Sequence, residues 1–234
     1  MILYEEPRFL WSGDACLVVE FGDGIDRGIN ELVHQCRRVL QSGKPDWLID
    51  SVPTYRSLAV FMDPAVTDRS AVVEYLRGCL PDPSTPFSEA EGDLVEVPVC
   101  YGGEFGPDLG TVASHTGYAQ DEVIRRHCEA EYYVYMLGFT PGFTYLGGLD
   151  PTLETPRLKE PRISIPAGSV GIAGRQTGIY PIASPGGWQL IGRTPLVLFD
   201  PAREPAVLVN AGMRLRFVPI TEERYHEFRS GVEK

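Results

Sequence analysis

Pro166-Ala167-Gly168-Ser169-Val170-Gly171-Ile172-Ala173-Gly174-Arg175-Gln176-Thr177-Gly178-Ile179-Tyr180-Pro181 sets apolar residues between glycines and closes the run with a proline at each end. Glycine in a helix interior costs roughly 1 kcal/mol relative to alanine and proline bars the helix, so the stretch predicts short strands joined by tight turns. The same texture extends over residues 138–192, where 11 Gly and 7 Pro fall in 55 positions among apolar residues that demand burial. Too broken for helices and too apolar for a loop, this block predicts a β-barrel with shaped loops.

Around that block the chain is more regular. Upstream, Leu94 to Cys100 reads as a strand and Asp121 to Glu129 as a short helix with acidic residues in its first turn, favourable to the helix dipole. Ala119 stands where a capping side chain belongs, a loss of order 1 kcal/mol unless Asp121 takes over. Downstream, strands are expected near Leu196 to Phe199, Ala206 to Val209 and Leu215 to Val218, then a terminal helix from Thr221. The whole of 94–234 is thus one barrel domain. Residues 83–93 follow Pro81-Asp82 and are rich in Pro, Ser and Glu, so they read as a linker.

Residues 1–82 form a separate domain. Phe9 to Ser12, Ala15 to Phe21, Trp47 to Val52 and Leu58 to Met62 read as strands. Ile25 to Leu40, with Ile25, Ile29, Leu32, Val33, Cys36, Val39 and Leu40 on one face, and a segment from about Asp68 read as helices. Two helices over one sheet make a ferredoxin-like or similar two-layer α/β domain, and the complete chain is α+β.

Composition excludes several classes. At 234 residues and 43% hydrophobic content there is material for real cores. The 5 cysteines are scattered, odd in number and without a C-x-x-C pair, which points to reduced thiols, no zinc site and a cytoplasmic setting. Neither a signal peptide nor a membrane-spanning run is present, so no membrane is expected. A net charge of −11 argues against nucleic acid, yet residues 132–217 carry +3, which suits a small anionic ligand. No Walker loop, G-x-S-x-G elbow or H-E-x-x-H motif appears.

The polar residues inside the glycine-rich block supply the candidates. Gln176, Thr177, Tyr180, Arg162 and Arg193 offer amide, hydroxyl and guanidinium groups able to grip a small amide that bears a carboxylate. With Ser169, Gly186 and Gly187 they form the expected substrate-binding set, and Arg157 and Arg175 read as solvated neighbours. The glycines could bring backbone N–H groups close to a ligand, or could serve only barrel corners. Trp188 and Phe143 fit barrel core as well as a ligand wall. Catalytic candidates are His127, Tyr180 and Gln176, with no metal. His127 could equally be a helix-end partner of the dipole, and His34 and His226 read as surface residues.

Three long motifs, 133–150, 166–181 and 184–195, closely resemble the family that contains the B component of 5-oxoprolinase, the Kip inhibitor of a sporulation kinase and the first component of allophanate hydrolase. Gly13-Asp14-Ala15, Val52-Pro53 with Tyr55, Ser57 and Leu58, and residues 101–109 extend the resemblance over nearly the whole chain, although Met213 stands where the family has an acidic residue. The resemblance implies a cyclophilin-like β-barrel after a small α+β domain. It also implies a role as the B component of an ATP-dependent 5-oxoprolinase, opening 5-oxoproline to glutamate with the A and C components. In that role ATP is shared with the partners and the chain alone is inactive. The alternatives it implies are a Kip-type inhibitor of a histidine kinase and the carboxyltransferase half of a biotin-dependent urea-type carboxylase.

Overall fold

The Asp26 carboxylate accepts the Ile29 N–H at 3.1 Å and so starts the first helix, while Lys44, in the left-handed region, ends it by donating its N–H to Leu40 O. The computed structural model to which this helix belongs describes residues 2–81 and 94–231. It divides into two units, 1–90 and 91–234, and the expected linker 83–93 lies outside the described residues.

In the first unit the elements are β1 (Leu3–Trp11), β2 (Cys16–Gly22), α1 (Arg27–Gly43), β3 (Leu48–Pro53), β4 (Ser57–Met62) and α2 (Arg69–Gly78). The strands form an antiparallel sheet in the order β1-β2-β4-β3. Leu17, Val19 and Phe21 of β2 and Leu58, Val60 and Met62 of β4 alternate onto one face. There they meet Ile29, Val33, Cys36 and Leu40 of α1 and Val72 and Leu76 of α2. Ile25 and Val39, expected on this stripe, are half exposed: Ile25 precedes the helix and Val39 is one residue off the 3.6-residue repeat. His34, expected at the surface, is buried. Strand β1 starts six residues earlier than expected, with a register shift between Leu3 and Arg8, where Pro7 has no N–H to give the ladder.

The second unit contains β5 (Leu94–Tyr101), α3 (Leu109–Thr116), α4 (Gln120–Glu129), β6 (Tyr132–Leu137), β7 (Thr144–Gly147), β8 (Arg162–Ile165), β9 (Ser169–Ala173), β10 (Gln176–Ile179), β11 (Ser184–Gly186), β12 (Gln189–Arg193), β13 (Arg214–Ile220) and α5 (Glu222–Ser230). Seven of these strands close a barrel in the order β10-β7-β6-β13-β5-β12-β9, while β8 and β11 pair separately. Every barrel strand contributes to one continuous interior cluster, which α3 and α4 join through Leu109, Val112 and Val123. Ala119 precedes α4 with no side-chain cap bond, so Asp121 does not replace the missing cap; Glu122 ties the first turn to Arg125 and Arg126 instead.

One expectation fails here. The strands proposed at 196–199 and 206–209 reduce to one bridge, Phe199 with Val207, because Pro195, Pro201 and Pro205 withhold the donors a ladder needs. Helix α3 has no counterpart in the sequence reading, and Gly102, Gly103, Gly106 and Pro107 just before it have the composition of a loop. No helix among the described residues is long and apolar enough to cross a membrane, and the five cysteines are free thiols.

Candidate functional site

The stretch 166–181 folds into β9 and β10, and its alternation sorts side chains to two faces of one wall. Val170, Ile172 and Ile179 point into the barrel with Ile191 of β12. Ala173 and Leu190 turn outward and, with Phe143, Ile165, Tyr180 and Trp188, build a second cluster. Gly178, Gly171 and Leu190 lie opposite one another across β10, β9 and β12. A Cβ on Gly171 would stand 3.1 Å from Trp188 Cβ, and one on Gly178 would stand 3.2 Å from Trp188 Cζ3 and 3.3 Å from Phe143 Cζ. At both positions even a methyl would press on an aromatic residue, so glycine lets Trp188 and Phe143 pack close against the barrel wall.

Those rings meet edge to face: Phe143 is 5.6 Å from Trp188, 5.3 Å from Tyr180 and 5.1 Å from Tyr145, centroid to centroid. They line an outer cleft of about 330 Å³, with Phe139 and Pro161 at its rim and Gly186 and Gly187 beside Tyr180. Gly186 allows the Tyr180 hydroxyl beneath β11, where a Cβ would come within 2.5 Å of it. Burial raises the Tyr180 phenol above its ordinary pKa, against the opposing pull of the Trp188 backbone and of Arg157 and Arg162. Phe139 holds a positive φ of 66° while its ring is 65% exposed and stands 5.7 Å from Phe143. A single charged side chain, Arg157, lines the cleft.

The expected site residues fall into distinct places. Tyr180, Gly186 and Gly187 line the cleft. Ser169 and Arg193 face each other across β9 and β12, one strand over from Tyr180, whose N–H donates to Ser169 O at 2.8 Å. The Ser169 hydroxyl and Arg193 Nε are buried without a hydrogen-bond partner, while Arg193 Nη2 donates to Glu104 O at 3.3 Å and its guanidinium lies 5.6 Å from the Phe105 ring. Arg162 pairs with the buried carboxylate of Asp108 at 2.7 Å, and the second oxygen of Asp108 accepts the Leu190 N–H. Gln176 opens β10 opposite Ala173, four residues and hence about 13 Å along the strand from Tyr180.

Thr177 and His127 are joined to each other in the barrel interior. The Thr177 hydroxyl donates to Gly171 O at 3.0 Å, so it accepts from His127 Nε2 at 2.9 Å, and Nδ1 accepts the Tyr101 hydroxyl at 2.8 Å. The imidazole is fully buried, stacks on Phe217 at 4.4 Å and is held neutral, its pKa lowered to about 3 by burial. With both nitrogens satisfied it is built as a core histidine, and the bond to Thr177 ties α4 to the barrel. Arg157, read from sequence as a solvated neighbour, lines the cleft, as do Phe139 and Tyr145, which are not among the expected site residues. A hint for Phe139 lay in Gly138-Phe139-Thr140-Pro141-Gly142, a turn-forming run with a large apolar residue at its centre.

Residues 7–209 match the family described as carboxyltransferase domain, subdomain C and D. The B component of 5-oxoprolinase from Bacillus subtilis (strain 168) is 42% identical over 93% of this chain and 94% of its own length. Its counterpart of the same name from Escherichia coli O157:H7 is 56% identical over 57% of this chain and 62% of its own. Among solved structures, TTHA0988 superposes with a TM-score of 0.79 at 38% identity; the match covers 88% of this chain and 40% of that one, so this chain spans about two fifths of TTHA0988.

Proposed function

The chain belongs to the carboxyltransferase-domain family, subdomain C and D, and from that membership we propose that it acts as the B component of an ATP-dependent 5-oxoprolinase, opening 5-oxoproline to glutamate together with the A and C components. The observation that carries this reading is the end-to-end match to the 5-oxoprolinase B component of Bacillus subtilis.

The outer cleft supports it chemically. 5-Oxoproline is a small lactam with apolar ring faces, an amide and a carboxylate. Phe139 and Tyr145, backed by the buried Phe143 and Trp188, offer apolar surface to the ring, and Tyr180, Gly186 and Gly187 place a hydroxyl and backbone beside the same cleft for the amide. Ser169, Thr177, Gln176, Arg162 and Arg193 do not line this cleft, so in this reading they support the wall behind it. An unstrained lactam resists opening because its amide is resonance-stabilised. ATP, when bound, supplies the phosphoryl group that makes the lactam oxygen a leaving group. Residues 168–174 fit no phosphate cradle, since they run along β9 with Gly171 pressed beneath Trp188 instead of opening a helix. In this reading ATP is shared with the partner chains, and this stretch does not hold its phosphates.

The same reading makes the barrel cyclophilin-like and the first unit ferredoxin-like. The observed order β-β-α-β-β-α is β-α-β-β-α-β with its last strand moved to the front. It also keeps 83–93 as the linker and the cytoplasm as the site of action. Reconstitution tests the function: with the A and C components, ATP and 5-oxoproline, glutamate release is expected only when this chain is present, and none from the chain alone. Undiminished turnover without it would sink the assignment.

A further inference from the structure

Arg157 is the one cation on an otherwise aromatic cleft, and no Asp or Glu lines that cleft. Its guanidinium carbon lies 6.0 Å from the Trp188 ring centroid, and among the described residues it makes no ion pair. The neighbouring arginines do not line the cleft: Arg162 pairs with Asp108 and Arg193 donates to the Glu104 carbonyl, each with one further buried nitrogen unpartnered, and Arg175 lies beside Glu154. A guanidinium over an indole, with no counter-anion, keeps its planar fork of donors available for a carboxylate beside the rings.

Resting on the 5-oxoprolinase reading, we infer that Arg157 recognises the ligand's carboxylate, so that the cleft selects small monoanions whose apolar ring lies against Phe143 and Trp188. Arg157 is then a specificity residue that acts by holding the anion, leaving the amide toward Tyr180 and Gly186. A neutral lactam lacking the carboxylate, 2-pyrrolidinone, fits the same walls without using Arg157.

The reconstituted complex separates the possibilities. With Arg157→Gln the KM for 5-oxoproline is expected to rise by about tenfold or more while kcat stays within about twofold, because the lost contact serves binding and not the chemical step. Arg157→Lys, which keeps the charge but not the fork, should fall between. Competitive inhibition by 2-pyrrolidinone should be the same in all three proteins, and so should the melting temperature. An active wild-type complex whose KM is untouched by Arg157→Gln overturns the inference alone, as does a variant that loses 2-pyrrolidinone equally. A wild-type complex that does not open 5-oxoproline removes the functional reading and the inference with it.

Discussion

On the inner face of the wall formed by β10, β9 and β12, Thr177 is bonded to His127 and His127 to Tyr101, and each polar atom of the imidazole has a partner. On the outer face Arg157 lines the cleft and lies over Trp188 without an anion. In the proposed reading, the difference separates structural from binding groups. A buried polar group with all its bonds made contributes to one unique packing, whereas an unengaged donor beside a cleft keeps its bonding capacity for a ligand. The glycines divide the same way: Gly171 and Gly178 make room for rings, and Gly187, with nothing closer than 3.6 Å to its absent Cβ, borders open cleft.

The largest expected effect lies on the inner face. His127 has an ordinary pKa of 6.5 and is held near 3 in the fold. Above pH 6.5 both folded and unfolded imidazoles are neutral; below it the unfolded chain takes up a proton that the fold refuses. Stability is thus present at neutral pH and lost as pH falls, by about 1.4 kcal/mol per unit between 6.5 and 3. Urea denaturation at pH 7 and 4.5 should show a loss of about 3 kcal/mol from this group. His127→Gln should lack that share and be about 3 kcal/mol less stable at pH 7, with Tyr101 or Thr177 left unpaired. Equal pH slopes in the two proteins would mean that the imidazole reaches water, and the contrast between the faces would go.

A smaller effect tests the outer face. In Gly186→Ala the new methyl meets Tyr180 Oη at 2.5 Å and Ile165 Cδ1 at 2.6 Å. The shift this forces should cost about 2 kcal/mol. It should also raise the KM for 5-oxoproline in the complex, because the ring that moves lines the cleft. A stability loss without a KM change would make the outer cluster pure scaffold. Smallest is Phe139→Gly. Releasing a phenylalanine from positive φ favours the fold by about 1 kcal/mol, offset in part by the lost ring contact and by glycine's freedom when unfolded. A rise of a few degrees in melting temperature is expected; a fall would show that the contact with Phe143 outweighs the backbone strain.

Much of this was legible from sequence. Apolar runs located β2, β3, β4, β5 and β13, period 3.6 located α1 and α2, and the acidic first turn located α4, because these signals are written in adjacent residues. The glycine-rich barrel followed from local texture, and of the expected site residues Tyr180, Gly186 and Gly187 line one cleft. The rest of the site did not follow from that texture. Arg162 and Arg193 carry the same side chain as Arg157, and their engagement depends on Asp108 and Glu104, 54 and 89 residues away in the chain. Thr177 and His127 looked like ligand-binding groups because nothing near either of them names the other, 50 residues distant.

By itself the sequence determined that the first unit builds a helix-covered sheet and the second a barrel, since burial of apolar side chains follows local periodicity. Alternation along β9, β10 and β12 already separates an inner face of Val170, Ile172, Ile179 and Ile191 from an outer face of glycine, alanine and leucine. Only the closed tertiary structure decided what covers each face, because Phe143, Tyr145 and His127 reach the wall from elements distant in the chain.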